Sequence, residues 1–149
     1  MLRISRLADY GVVVGTHLAG LPGGTLRSVR ELSDATGLPQ PTISKVLKLL
    51  SQDRVVESTR GVNGGYRLAE PAADITVARV IAALEGPIGI TECGVEEDHE
   101  DCDHSEHCSV RGNWQLINRA ILGALDGISL AEMASPRAPS LVSLTRKAR

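Results

Sequence analysis

Phenylalanine is absent from this 149-residue sequence, and one Trp with two Tyr leaves an aromatic share of 2%. Any core must therefore be built from Leu, Val, Ile and Ala. At 42% hydrophobic and 23% charged residues, such a core can form, and wholesale disorder is excluded. No run of about 18 apolar residues occurs, so no membrane-spanning helix is expected. The opening Met1-Leu-Arg-Ile-Ser-Arg6 lacks an apolar signal segment followed by small residues, which makes a cytoplasmic location the expectation. There is no CxxC pair and no glycine loop ending in Lys-Ser/Thr. No Cys–His pair backed by a carboxylate is recognisable either, so nothing points to an enzyme. The three cysteines are an odd number. They read better as metal or redox thiols than as a disulfide framework.

A strong basic excess is also missing, since the net charge is −2. That average hides a segregation. Residues 1–70 carry nine Lys/Arg against six Asp/Glu, residues 71–110 one Arg (Arg79) against ten acids, and residues 111–149 six basic against two acidic. A basic front, an acidic middle and a basic rear indicate separate jobs for separate segments. The overall charge does not exclude DNA as a partner.

Apolar residues fall at helical spacing over 4–21 (Ile4, Leu7, Ala8, Val12, Val14, Leu18, Leu21), ended by Pro22-Gly23-Gly24. Ser28-Val-Arg-Glu31 matches a capping box that announces a second helix, with Gly37 as its stop. Pro39 and Pro41 fit a turn or a first helical turn. Ile43, Val46, Leu47 and Leu50 then form one apolar stripe, with Ser44, Lys45 and Lys48 off it. Two short helices joined by a Gly-containing turn make a helix-turn-helix pattern. The β-branched run from Arg54 to Thr59 and the segment Tyr66–Leu68 predict a hairpin, a wing over about 54–69. Its tip is Gly61–Gly65, and Asn63-Gly64 is its turn signal. Thr76 caps a predicted helix through Val77, Val80, Ile81 and Leu84 that stops at Gly86-Pro87. Residues 88–108 lack apolar periodicity and read as a loop. From Ser109 a long helix carries Trp114, Ile117, Ile121, Leu125 and Ile128 on one side, and the tail 135–149 reads as disordered. The fold class is mainly α with a small β-hairpin. The expected units are a winged helix-turn-helix domain at 1–87, a cysteine loop at 88–108, a long helix region at 109–134 and the tail.

In a helix-turn-helix the N-terminal residues of the second helix reach base edges in the major groove. Here these are Gln40, Thr42, Ser44 and Lys45. Gln pairs bidentately with adenine, Ser and Thr with any edge, and Lys with guanine or phosphate. Arg60 at the wing suits a minor groove, where the negative potential is deepest. Arg3, Arg6, Arg27, Arg30 and Lys48 are candidate phosphate contacts. A lysine on a helix face is also often simply solvated. The weight rests on the order of capped helix, turn, second helix and hairpin.

Cys93, Cys102 and Cys108 are spaced C-x8-C-x5-C among His99, His104 and His107, with eight acids between Glu92 and Glu106. Three thiols this close on one loop can close around a metal centre, and thiolates favour iron–sulfur clusters or zinc. An iron–sulfur cluster ranks first, zinc with three Cys and one His second, and metal-free redox thiols third. His17, among apolar neighbours on the first helix, reads as packing.

Together these residues resemble the Rrf-type family of bacterial winged-helix regulators, which includes IscR-like and Suf-operon regulators. Leu7-Ala-Asp-Tyr10-Gly resembles the family's N-terminal signature and Arg60-Gly61-Val-Asn-Gly-Gly-Tyr66 its wing motif. The cysteine triplet followed by a long helix is similar to its cluster loop, and the resemblance covers about residues 1–134. Met1-Leu-Arg-Ile-Ser and Cys108-Ser-Val-Arg-Gly-Asn-Trp114 are most similar to regulators of the Suf cluster-assembly operon. The resemblance implies a homodimeric, cluster-dependent transcription regulator, a repressor of cluster-assembly genes, that binds double-stranded operator DNA. It makes Cys93, Cys102 and Cys108 ligands of a 2Fe-2S cluster, or a 4Fe-4S cluster as in some members. The last helix becomes a dimerisation helix through Trp114, Ile117, Ile121 and Leu125, although periodicity alone favours intrachain core for that stripe. IscR-like members place a histidine ligand where this chain has Arg111, which cannot ligate. The fourth-ligand candidates are therefore Asp9 from the partner subunit, then His107 or His104. Ser44-Lys45 replaces the Glu-Gln of IscR-like members, so the operator need not be theirs. The rival readings are a zinc-stabilised winged-helix interaction module and a metal-free thiol regulator.

Overall fold

The computed structural model describes residues 3–91 and 107–135. Helix α1 (Arg6–Ala19) starts where the Ser5 hydroxyl accepts from the Ala8 amide. Its inner side is unusually small: Ala8, Gly11, Val14, Gly15 and Leu18. A Cβ placed on Gly11 would collide with the Leu84 side chain, and one on Gly15 would lie 3.0 Å from Leu130 Cδ1. The two helix positions without side chains are thus the places where neighbouring helices cross closest.

Helix α2 (Val29–Thr36) begins in the predicted capping box. The Ser28 hydroxyl accepts from the Glu31 amide, and the Glu31 carboxylate accepts from the Ser28 amide at 2.8 Å. It ends on Gly37 in the left-handed conformation (φ 72°). Helix α3 (Gln40–Gln52) has Pro41 in its first turn, where the missing amide costs nothing. Ile43, Val46, Leu47 and Leu50 are completely buried, each contributing about 2 kcal/mol of hydrophobic stabilisation.

Strands β1 (Val56–Thr59) and β2 (Gly65–Leu68) pair antiparallel, Val56 opposite Leu68 and Thr59 opposite Gly65. The hairpin is where the sequence places it, but its turn differs from a two-residue Asn-Gly turn. The loop is 60–64, closed by the Gly64 amide donating to the Gly61 carbonyl at 2.9 Å, and the positive φ belongs to Gly61 (118°). The two following glycines serve packing. A Cβ on Gly65 would sit 2.8 Å from the Arg27 backbone. There Arg27 and Tyr66 exchange two backbone hydrogen bonds of 2.8 and 2.9 Å. Strand β1 begins two residues later than its composition suggests because Arg54 occupies a left-handed turn (φ 54°).

Helix α4 (Val77–Glu85) is capped by Thr76 and stops at Gly86. The stretch 109–134 divides at Gly127 into α5 (Arg111–Asp126) and a short α6 (Leu130–Ala134). Leu130 is fully buried and joins the main core with Val14, Leu32, Leu47 and Ile75. Its amide donates to the Ile75 carbonyl at 2.8 Å, and the Val77 amide donates to Ile128. The chain therefore returns to the N-terminal unit after α5. Helix α5 itself buries one residue, Asn118. The intrachain-core reading of its stripe fails at Trp114 and Ile117, which are 37% and 44% exposed. Leu125 packs against Ala8, Val77 and Ile81, and Ile121 is half-buried. Among the described residues nothing buries the first turns of α5 beyond Asn118.

Candidate nucleic-acid interface and cysteine loop

With one side of α3 sunk in the core, its other side presents Gln40, Ser44, Lys45 and Lys48 to solvent, while Thr42 is half-buried. The helix opens without a side-chain cap, and Pro39 and Pro41 remove two of the backbone N–H groups at its start, leaving those of Gln40 and Thr42. Arg60, directly after β1, is exposed, as are Arg3 and Arg6 near the start of α1. Arg27 and Arg30 are not idle cations. Arg27 Nη1 lies 3.3 Å from Glu31 and Arg30 Nε 4.0 Å from Asp34. The Glu31 carboxyl is held below its ordinary value, first by the hydrogen bond from the Ser28 amide.

Two ion pairs not anticipated from the sequence brace the wing. Arg67 Nε meets Glu57 at 2.6 Å directly across the hairpin. Arg79 of α4 grips Glu70 through both nitrogens, at 2.8 and 3.0 Å. The same guanidinium reaches the carbonyls of Arg54 at 3.3 Å and Asp53 at 3.5 Å. The Arg79 hydrogen bond pulls the Glu70 carboxyl below its ordinary range, and its partner raises Arg79. The sequence signal was there: Arg79 is the lone cation in an acidic stretch. Its partners, however, lie 9 and 25–26 residues away.

Of the cysteine cluster, Cys93 and Cys102, with His99 and His104, lie outside the described residues, as does the tail beyond Ser135. Cys108 is a free, half-buried thiol just before α5. Its chemistry suits a thiolate ligand. His107 is exposed, and Arg111 donates its amide to the Cys108 carbonyl at 3.5 Å. Asp9 is exposed on α1, lining a shallow groove of about 400 Å³ with Ile4, Arg6, Val12, Ile81 and Met133. Among the described residues Asp9 and Cys108 belong to no common group of potential metal ligands. Both margins of the loop nevertheless attach to α5. Asn118 Oδ1 accepts from the Ile90 amide at 3.3 Å and Nδ2 donates to the Ile88 carbonyl at 3.4 Å. The other margin, Cys108, runs straight into the helix.

A family profile described as an iron-dependent transcriptional regulator, Rrf2, matches residues 4–136. Among solved structures, the chain is similar to CymR (YrzC), the global cysteine regulator of B. subtilis. That likeness has 30% identity and a TM-score of 0.72, covering 93% of this chain and 100% of that one. It is similar also to T. potens IscR, at 28% identity and a TM-score of 0.68 over 89% of this chain and 85% of that one. A transcriptional regulator from Listeria innocua matches at 26% identity and a TM-score of 0.72, covering 95% and 92% of the two chains. Among the described residues no helix is long and apolar enough to cross a membrane.

Proposed function

The chain belongs to the Rrf2 family of iron-dependent transcriptional regulators, and from that premise we propose that it works as a homodimer whose hold on operator DNA follows the state of an iron–sulfur cluster. It is a DNA-binding transcription regulator and not an enzyme. In this reading α3 enters the major groove with Gln40, Thr42, Ser44 and Lys45 at the base edges, and Arg60 reaches a minor groove. Lys48, Arg3 and Arg6 meet phosphates. Arg27 and Arg30 join them, because their exposed pairs with Glu31 and Asp34 are weak enough to be exchanged for phosphate.

The observation that carries the dimer is α5, with one buried residue and with Trp114 and Ile117 exposed on one side. A second copy packed there removes that apolar surface from water. Ile121 and Leu125, on the inner edge of the same helix, tie the interface to α1 and α4.

Cys93, Cys102 and Cys108 are the cluster ligands in this reading, with Asp9 of the partner subunit as the fourth and His107 or His104 as substitutes. When bound, the cluster, 2Fe-2S or 4Fe-4S, supplies a redox-active, oxygen-sensitive centre. The chain does the rest. Asn118 and Cys108 hold the loop margins to α5, so a change of loop shape acts on the helix that sets the spacing of the two recognition helices. Half-site spacing is a geometric condition for binding. Cluster-assembly genes are the expected targets, under repression. A second reading draws on the 30% identity to a global cysteine regulator and on the free Cys108 thiol: metal-free thiol sensing.

Oxygen-free purification with visible absorption and iron and sulfide quantitation separates these readings. Wild type is expected to be coloured and loaded with iron and sulfide, and Cys102→Ala to lose both. Colourless zinc-loaded protein supports the zinc module. Metal-free protein whose DNA binding responds to oxidants supports the thiol reading.

A further inference from the structure

Between the recognition helix and the wing the backbone takes an uncommon turn. Arg54 is the one non-glycine residue at positive φ among the described residues, a conformation that persists where surroundings enforce it. Inside, the Arg54 amide donates to Ser51 at 3.3 Å and the Val55 amide to Leu50 at 2.9 Å. Outside, the turn's carbonyls at Asp53 and Arg54 receive Arg79 Nη2. The guanidinium that does this is itself seated on Glu70, two residues beyond the end of β2. Its backbone is fixed by the Thr76 cap, which accepts the Arg79 amide at 3.2 Å. One planar group on α4 therefore joins the end of α3, the turn into β1 and the exit from β2.

We propose that Arg79 is a positioning residue for DNA binding: it sets the angle between α3 and the wing, so that the exposed side of α3 and Arg60 engage adjacent grooves together. This rests on the assignment of α3 and Arg60 as groove readers. In this arrangement Arg79 Nη1 and Nη2 are engaged by Glu70 and the two carbonyls, and its effect on DNA binding runs through those partners. The geometry suits arginine. A lysine ammonium carries its three donors on one nitrogen and cannot reproduce the paired Nη1 and Nη2 contacts to Glu70 while also reaching the two carbonyls. The partially exposed ion pair adds little to stability, so its geometry suits alignment more than folding energy.

The test uses the full chain and a duplex selected by wild type from a random-sequence pool. Affinity is measured by fluorescence anisotropy over a salt series, with hydroxyl-radical footprinting of the complex. Arg79→Lys, Arg79→Gln and Glu70→Gln are expected to weaken binding about tenfold, the equivalent of one specific contact. The salt slope should be unchanged, and protection should be lost at the wing's position while protection by α3 persists. Glu70→Gln opens the same fork from the surface, which keeps the idea testable if an Arg79 variant folds poorly. Undiminished affinity in the folded variants overturns it. So does a slope reduced by about one unit, which marks a direct phosphate contact. Loss of both footprints together overturns it too, as a general folding defect. Arg60→Ala tests the underlying assignment separately: unchanged affinity and footprint there remove the wing from the interface, whatever Arg79 does.

Discussion

Leu130 and Gly15 provide the sharpest test of how the chain closes on itself. Leu130 is fully buried, and the missing Cβ of Gly15 would stand 3.0, 3.3 and 3.8 Å from its Cδ1, Cδ2 and Cγ. Leu130→Ala alone removes the side chain that seats α6 on α1, and such truncations cost about 2–5 kcal/mol. Gly15→Ala alone gains up to about 1 kcal/mol of helix propensity but pushes a methyl group into Leu130, an overpacking worth about 1–3 kcal/mol in the opposite direction. In the double variant those leucine atoms are gone. The new methyl then partly fills the space that truncation opened, and its helix propensity is recovered. The double variant should therefore be more stable than the two single changes predict, by roughly 1–3 kcal/mol. Urea denaturation followed by circular dichroism measures this, with all four proteins at one concentration because a dimer's stability depends on it. Additive effects, within about 0.5 kcal/mol, would mean that α6 does not pack on Gly15 and that the chain does not return to its N-terminal unit in this way.

Asn118→Leu keeps a side chain of similar size but leaves the Ile90 amide and the Ile88 carbonyl without the amide that now pairs them. Such orphaned groups cost about 1–3 kcal/mol, and hydrogen exchange should show the Ile90 amide losing protection while α3 keeps its own; unchanged protection at Ile90 contradicts the clasp. Acid should weaken the fold through Glu31 and Glu70, whose carboxyls lie below the ordinary value of 4.5. A lowered folded-state value means the contribution is fully present above 4.5 and disappears as pH falls through the lowered values. Thermal unfolding of Glu31→Gln should accordingly depend less on pH in that acid range than wild type does, and parallel profiles would rule Glu31 out as a source.

Local chemistry was legible in advance. Ser28 and Glu31 are three residues apart, Gly37 follows the last helical turn, and the stripe Ile43, Val46, Leu47, Leu50 repeats at helical spacing. Each depends on neighbours within one or two turns. The wing was legible in place but not in detail, because Asn63-Gly64 competes with a packing demand: the chain must keep Gly65 bare where Arg27 crosses it. The exposed side of α3 follows directly from its buried stripe, so Gln40, Ser44, Lys45 and Lys48 could be named beforehand. Arg67 with Glu57 and Arg79 with Glu70 could not, since register and helix placement bring those charges together.

Periodicity, caps and glycine stops depend on interactions along the chain, and from them alone came the order of helices, the hairpin and the solvent-facing residues of α3. Whether an apolar stripe faces its own chain or another is invisible to periodicity, because both arrangements need the same spacing. Only packing decided that Trp114 and Ile117 stay uncovered while Leu130, a few residues on, is sealed in the core. Only packing, too, made Gly11 and Gly15 into crossing points and gave Arg79 its place between the end of α3 and the hairpin.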